Sequence, residues 1–327
     1  MNRLIDNFGR KHNYLRISVT DRCNLRCQYC MPHEGIAWKK KDQLLTFEEI
    51  IRISRVFARM GVDKIRLTGG EPLVRRDLEV LIEQLALIDG VKTLAMTTNA
   101  TLLKPLARHL KSIGLTALNI SLDTLREERF AEITRRDDFY SVMDGLNEAL
   151  EVRFDSLKLN MVVMSGINDD EVMDFVDFAR DKALNVRFIE YMPFKDNQWK
   201  SDKVVTFQQM REQIQQKYNL YPLSAEPSAV AKDFGIDGYP GTVSFISSMS
   251  DSFCGTCNRL RLTADGSIKS CLFYPAETSL RDELRRGITD EYLEELILQT
   301  LALKPEAHPP AEEIAAENNR AMIEIGG

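Results

Sequence analysis

"YLRISVTDRCNLRCQYC" (residues 14–30) runs from an apolar, β-branched segment straight into three cysteines spaced C-x3-C-x2-C. Segment 14–19 is the first of six such runs. The others are "KIRLT" (64–68), "TLAMT" (93–97), "ALNISL" (117–122), "SLKLNMVV" (156–163) and "NVRFIEYM" (185–192). Apolar residues at helical spacing fill the intervals 46–60, 77–88, 102–113, 140–152 and 169–183, with 206–218 after the last run. In 46–60, Phe47, Ile50, Ile51, Ser54 and Phe57 make a core-facing stripe, and Thr46 with Glu49 reads as a capping box.

Strands alternating with helices imply parallel βαβ units with right-handed crossovers. Six units fall short of the eight of a closed barrel. The expected fold is therefore α/β: a partial (βα)6 TIM-type barrel with a C-terminal cluster-binding extension. In such barrels the loops at the carboxyl ends of the strands build the site. Those loops hold Asp21 to Cys30, "GGEP" (69–72), "TTNA" (97–100), Ser121 to Asp123, "SGIND" (165–169) and "MP" (192–193), which are polar, glycine-bearing or metal-ligating. A boundary is expected near 222, where "YPLSAEPSAVAKDFG" (221–235) breaks the rhythm, giving a core of 1–222 and a segment 223–327.

Composition narrows the function classes. The chain has 327 residues, 44% hydrophobic and 28% charged, with a formal charge of −6. That balance lacks the basic excess of nucleic-acid binders, so any phosphate must be held by a few placed cations. No segment is apolar for the ~20 residues of a membrane span, and the first residues resemble neither a signal peptide nor a transit peptide. A cytoplasmic, reducing compartment is expected, with no nucleic-acid or membrane partner and with free thiols.

The six cysteines fall as two triads: Cys23, Cys27 and Cys30, then Cys254, Cys257 and Cys271 spaced C-x2-C-x13-C. Thiolates this dense suit zinc or iron–sulfur clusters. A three-cysteine zinc site needs a nearby histidine, and only His33 lies near a triad, in a loop that reads as surface. Two clusters, each with three thiolates and one open iron, use every cysteine, and a small molecule can occupy each open position.

These motifs resemble a known family. C-x3-C-x2-C with Tyr29 before the last cysteine, and "TGGEP" (68–72), resemble the cluster loop and glycine-rich motif of radical S-adenosylmethionine enzymes. "RISVTDRCNLRCQYCMP", "IRLTGGEPLVRRDL", "TTNATLL", "NISLDT", "RFIEYMP", "FCGTCNRLRLTADGSIKSCLF" and the final Gly326–Gly327 are together similar to the GTP 3′,8-cyclase family of molybdenum cofactor biosynthesis, over essentially the whole length. Two departures stand out: Ala100 occupies a position where the family commonly has glycine, and the loop 31–45 looks short.

The resemblance implies two 4Fe–4S clusters. Cys23, Cys27 and Cys30 would hold the first, whose open iron chelates S-adenosylmethionine. Its reductive cleavage gives a 5′-deoxyadenosyl radical that takes hydrogen from C3′ of GTP, and the carbon radical closes on C8. Cys254, Cys257 and Cys271 would hold the second cluster, against guanine. Tyr29, Gly70, Ser121 and Met192 would line the S-adenosylmethionine site. Read alone, Met192 before Pro193 is an ordinary packing residue and Ser121 a strand-end serine.

GTP would be contacted by Arg16, Arg66, Thr97, Lys158, Arg259 and Arg261, with Arg259, Arg261, Gly326 and Gly327 assisting catalysis. Spacing supports part of this. On a strand, Arg259 and Arg261 share a face, where they could grip a polyphosphate or be solvated. Arg16 and Lys158 put charge into apolar strands, which is costly unless it is paired or faces a ligand. Arg75 and Arg76 read as surface residues at a helix start. Two terminal glycines are ordinarily a frayed end, and 304–318 is expected on the surface. The family further implies a homodimer, a flavodoxin- or ferredoxin-type electron donor, and a downstream cyclic pyranopterin monophosphate synthase. Alternatives from other classes are a two-cluster electron carrier and a zinc-stabilised binding protein; within the same superfamily the alternative is a two-cluster peptide-modifying enzyme.

Overall fold

The computed structural model describes residues 3–31, 36–224, 226, 228–275, 277–317 and 320–326. His33 and Gly327 lie outside the described residues.

All six expected strands form: β1 Tyr14–Ser18, β2 Lys64–Thr68, β3 Thr93–Thr98, β4 Ala117–Ser121, β5 Ser156–Val163 and β6 Asn185–Glu190. The helices among and after them are α1 Phe47–Arg59, α2 Leu78–Ala86, α3 Ala107–Ser112, α4 Glu127–Thr134, α5 Phe139–Val152, α6 Val172–Phe178 and α7 Phe207–Gln215. The capping box on α1 is present, with the Thr46 side chain accepting from the Glu49 N–H. The buried stripe of α1 is Ile50, Ile53, Ser54, Val56 and Phe57, with Phe47 and Ile51 at its margin.

Three helices differ from expectation. α6 covers only Val172–Phe178 of the span 169–183, after a 3-10 turn at Asp169–Glu171. α3 starts at Ala107 because Pro105 disfavours helix at the residue before it. α4 was not anticipated, since only Phe130 and Ile133 of its short, charged sequence supply an apolar face.

β1 to β6 lie side by side in parallel, in sequence order. Residues after α7 extend the same sheet at both edges. β7 Leu220–Pro222, β8 Lys232–Ile236 and β9 Thr242–Ile246 continue past β6, with β9 parallel to it. β10 Arg259–Leu262, β11 Ser267–Lys269 and β12 Thr278–Ser279 continue past β1, with β10 parallel to it. The sheet ends on β12 and β7 and does not close, which is a partial barrel. Eight consecutive strands are therefore parallel, two of them from the C-terminal segment. Four short helices follow: α8 Leu280–Arg285, α9 Asp290–Ala302, α10 Ala311–Ala316 and α11 Met322–Ile325. No described helix is long and apolar enough to cross a membrane.

A single apolar cluster runs from α1 and α2 through the strands to α9. The stretch 304–317 is mostly at the surface as expected, but Lys304 and Ile314 are buried.

Candidate active site

The first cysteine loop leaves β1 and is held on two sides. The Gly70 and Glu71 N–H groups donate to the carbonyls of Thr20 (2.9 Å) and Arg22 (2.8 Å). The Arg26 and Gln28 N–H groups donate to Thr134 (2.9 Å) and Ile133 (3.0 Å), at the end of α4. A Cβ on Gly70 would meet the Arg22 carbonyl oxygen at 2.2 Å and the Cys23 Cβ at 3.0 Å. The glycine is required by the approach of the cysteine loop, whatever else binds beside it.

Glu71, fully buried, accepts from the Leu73 N–H (3.0 Å), the Thr98 hydroxyl (2.7 Å) and the Asn99 N–H (2.6 Å), so it locks the "GGEP" loop to "TTNA". Burial pushes its carboxyl up to about 7. Ala100, within "TTNA", has φ +61°, a conformation that costs an L-residue ~1–2 kcal/mol and explains why glycine suits the position.

Arg75 is half-buried, against expectation. Its guanidinium donates to the carbonyls of Val19 (2.5 Å) and Leu45 (2.7 Å) and stacks over the Phe47 ring. Arg76 is exposed as expected.

Cys23, Cys27 and Cys30 are free, half-buried and face a cavity that Tyr29, Gly70 and Ser121 also line. Burial, with Glu71 next, pushes the Cys23 thiol up to about 11. Burial and then neighbouring acidic groups push Cys27 and Cys30 up as well. Among the described residues no three side chains converge as the ligands of a single metal ion do. The three thiols, free and facing one cavity with room beside them, are a donor set that a cluster taking one thiolate per iron can use.

The Tyr29 hydroxyl donates to Asp123 at 2.8 Å, and Asp123 also accepts from the Val162 N–H (2.9 Å). Asn197 donates to the carbonyls of Tyr29 (3.3 Å) and Met192 (2.9 Å), tying the cysteine loop to the end of β6. Neither Asp123 nor Asn197 carried a sequence signal beyond proximity to a strand end.

A second, larger cavity adjoins the first and shares Tyr29, Thr97, Ser121, Asp123 and Met322 with it. Cys254, Cys257 and Cys271 line it together with Arg16, Thr97, Met192, Arg259 and Arg261. All three cysteines are free. Burial would raise the Cys257 thiol, but Arg259 and Lys304 bring it down to about 6.

Cations cover the strands here. In register across β10, β1 and β2 stand Arg261, Arg16 and Arg66, and one repeat earlier Arg259, Tyr14 and Lys64. Burial, with Arg66 and Arg259 and against the opposing pull of Tyr14, lowers Arg16 to about 10. Burial and then Arg16 and Arg259 lower Arg261 further, and its Nη1 is a buried donor with no hydrogen-bond partner among the described residues. Lys158 on β5 is lowered to about 8 by burial and by Arg187, Lys64 and Arg66. Arg187, missed from sequence, lines the cavity from β6. Arg66 on β2 and Lys158 on β5 do not line the cavity. Arg66 instead donates to the Tyr14 hydroxyl (2.5 Å) and more weakly to Thr97 (3.4 Å).

Gly326 is buried, with φ +88°, and a Cβ there would meet the Ser18 Cβ at 2.7 Å and the Thr68 hydroxyl at 2.8 Å. The tail therefore packs against the ends of β1 and β2 instead of fraying.

Two family models match the chain, one on each side of about residue 180. Residues 17–179 match the Radical SAM superfamily and 184–310 match Molybdenum Cofactor Synthesis C. The chain is 51% identical to "GTP 3′,8-cyclase, mitochondrial" of Arabidopsis thaliana, over 99% of this chain and 83% of that protein. It is 44% identical to "GTP 3′,8-cyclase" of Syntrophomonas wolfei, over 99% and 100%. It is also 49% identical to mouse "Molybdenum cofactor biosynthesis protein 1", of which it spans 51%. Among solved structures, Streptococcus suis SuiB bound to S-adenosylmethionine has a TM-score of 0.60 at 16% identity, covering 96% of this chain and 77% of that one. At that identity the likeness concerns the fold alone.

Proposed function

Since the chain belongs to the GTP 3′,8-cyclase family of radical S-adenosylmethionine enzymes, we propose that it converts GTP to (8S)-3′,8-cyclo-7,8-dihydroguanosine 5′-triphosphate, the first step of molybdenum cofactor biosynthesis. The observation that carries this reading is the buried row Arg261, Arg16 and Arg66, like charges in direct register beside a cavity shared with a cysteine triad. Like charges opposite one another destabilise a sheet, so such a row suits a site completed by a polyanion.

S-adenosylmethionine and the reduced first cluster, when bound, supply the radical that takes hydrogen from C3′. The chain's residues bind and orient. Cys23, Cys27 and Cys30 ligate the first 4Fe–4S cluster, and Tyr29, Gly70, Ser121 and Met192 border S-adenosylmethionine. Cys254, Cys257 and Cys271, carried by the segment 223–327, ligate a second cluster at the guanine end. Arg16, Arg259 and Arg261 hold the triphosphate, with Lys158 adding charge and Arg66 bridging Tyr14 and Thr97. Met322, an apolar side chain that lines both cavities, helps keep water from the radical. Holding C3′ near the radical carbon is the main task, because positioning accounts for much of the rate. The proposal places the enzyme in a reducing, cytoplasmic compartment, as a homodimer served by a flavodoxin- or ferredoxin-type donor, with its product passed to a pterin-forming synthase.

The test is anaerobic incubation of reconstituted protein with S-adenosylmethionine, reductant and GTP, followed by mass analysis of the nucleotide. Release of 5′-deoxyadenosine with GTP recovered unchanged would overturn the substrate assignment.

A further inference from the structure

Lys304 follows α9 and is 5% exposed. Its ammonium carries three hydrogens and has three acceptors: the Cys257 Sγ at 3.5 Å, the Arg259 carbonyl at 3.1 Å and the Ser270 carbonyl. Two of these lie at the start of β10, and the third immediately precedes Cys271. One side chain thus spans the gap between the second and third cysteines of the triad. Arg259 adds a second cationic donor, 3.7 Å from the Cys257 sulfur. The first triad differs: among the described residues the sulfur contact there is a neutral amide, Asn99 Nδ2 at 3.8 Å from Cys23.

We infer that Lys304 is the positioning and tuning residue of the second cluster, fixing Cys257 relative to Cys271 and raising that cluster's reduction potential through the charge it places on the Cys257 sulfur. The inference rests on the second triad holding an iron–sulfur cluster. Hydrogen bonds and charge at the sulfurs set cluster potentials, and a cationic donor favours the reduced, more negative state. A cluster that anchors a purine, without cleaving a sulfonium, has no need of a strongly reducing potential.

Full-length protein with Cys23→Ala, Cys27→Ala and Cys30→Ala, reconstituted with iron and sulfide, isolates the second cluster for redox titration. Adding Lys304→Gln should leave iron content unchanged and move the midpoint negative, by roughly tenfold in the reduction equilibrium, or about 59 mV for one electron. Lys304→Arg should stay near the parent. An unmoved potential in Lys304→Gln overturns the inference. Loss of the cluster in Lys304→Gln but not in Lys304→Arg, at equal melting temperature, supports a requirement for the charge. Loss in both folded variants overturns it, since size would then govern.

A measurement free of substitutions at Lys304 covers the case of misfolding. Pulsed EPR of the reduced second cluster in protein labelled with nitrogen-15 lysine should show coupling to a lysine nitrogen, and its absence overturns the inference. Failure of the underlying reading is distinct: the first-triad variant would then take up no iron at all, and both would fall.

Discussion

Arg16 on β1 and Arg261 on β10 are direct register partners on adjacent parallel strands, and both line the larger cavity. Arg66 extends the row on the other side of Arg16. Two guanidiniums meeting inside a sheet cost stability in the empty protein, and burial drives the affinity of both for protons down. The second cysteine triad stands beside this row because β10 pairs with β1, so segments far apart in the chain meet at one wall.

Arg261→Met should therefore separate stability from binding. Removing one cation from the row should leave the melting temperature of the nucleotide-free protein unchanged or raised. GTP affinity should fall about 10- to 150-fold, since a charge-assisted hydrogen bond is worth ~1.5–3 kcal/mol. Calorimetry with GTP and with guanosine checks the assignment: equal losses for the two would place Arg261 away from the phosphates.

Replacing any one of Cys23, Cys27 or Cys30 with alanine removes a ligand from the cluster that the reaction needs first. No 5′-deoxyadenosine should form, with or without GTP, by chromatographic assay. A variant releasing it at the parent rate sinks the assignment of that triad.

Tyr14 gives the site a pH dependence. Burial would raise its phenol, but Arg66, Arg16 and Lys64 bring it down to about 7. The folded value lies below the unfolded value near 10. Between about pH 7 and 10 the unfolded chain therefore holds a proton that the folded chain has released, and stability rises with pH across that window. Lys158, lowered to about 8, adds a slope of the same sign from about pH 8 upward. For the nucleotide-free protein, Tyr14→Phe should flatten the rise in melting temperature between pH 7 and 8, where Lys158 contributes least. An unchanged slope would mean that the phenol stays protonated.

Much of this arrangement was legible in the sequence, because a parallel barrel writes its period in apolar runs. Six strands and the cysteine loop could be read that way. β9 and β10 could not be placed in the sheet, since a four-residue strand such as "RLRL" carries no periodicity that names its neighbour. Arg187 was passed over inside an apolar run, although the argument made for Arg16 applies to it equally. Asp123, Asn197 and Lys304 act through contacts with distant backbone or sulfur, which one-dimensional spacing does not encode. Arg75 looked like a surface residue because nothing local announces the Val19 and Leu45 carbonyls that it binds.

Gly326→Ala tests the tail. The substitution costs ~1–2 kcal/mol for the left-handed backbone, and the added Cβ has no space against Ser18 and Thr68. α11 is one short helical turn, so it should lift away while the barrel stays folded. The expected result is an unchanged melting temperature, continued cleavage of S-adenosylmethionine and a loss of cyclised GTP per 5′-deoxyadenosine formed. Full coupling in the variant would remove Gly326 from the catalytic group.

The second triad can be asked whether it serves the substrate or only staples the fold. Its cysteines share no residue with the first triad, and the hairpin they flank, β10–β11, belongs to a continuous sheet. A variant with Cys254→Ala, Cys257→Ala and Cys271→Ala should thus keep the first cluster, bind S-adenosylmethionine and cleave it slowly under strong reductant. It should form no cyclised GTP, because a nucleotide displaced by about 1 Å from the radical carbon can lose ~100-fold in rate. If the cluster is instead a staple, its removal takes away folding energy, and the edge strands β10 to β12 should melt early. Circular dichroism separates the cases. A folded variant without cyclisation supports the substrate role, early melting supports the staple, and a folded variant that still cyclises GTP rules the substrate role out.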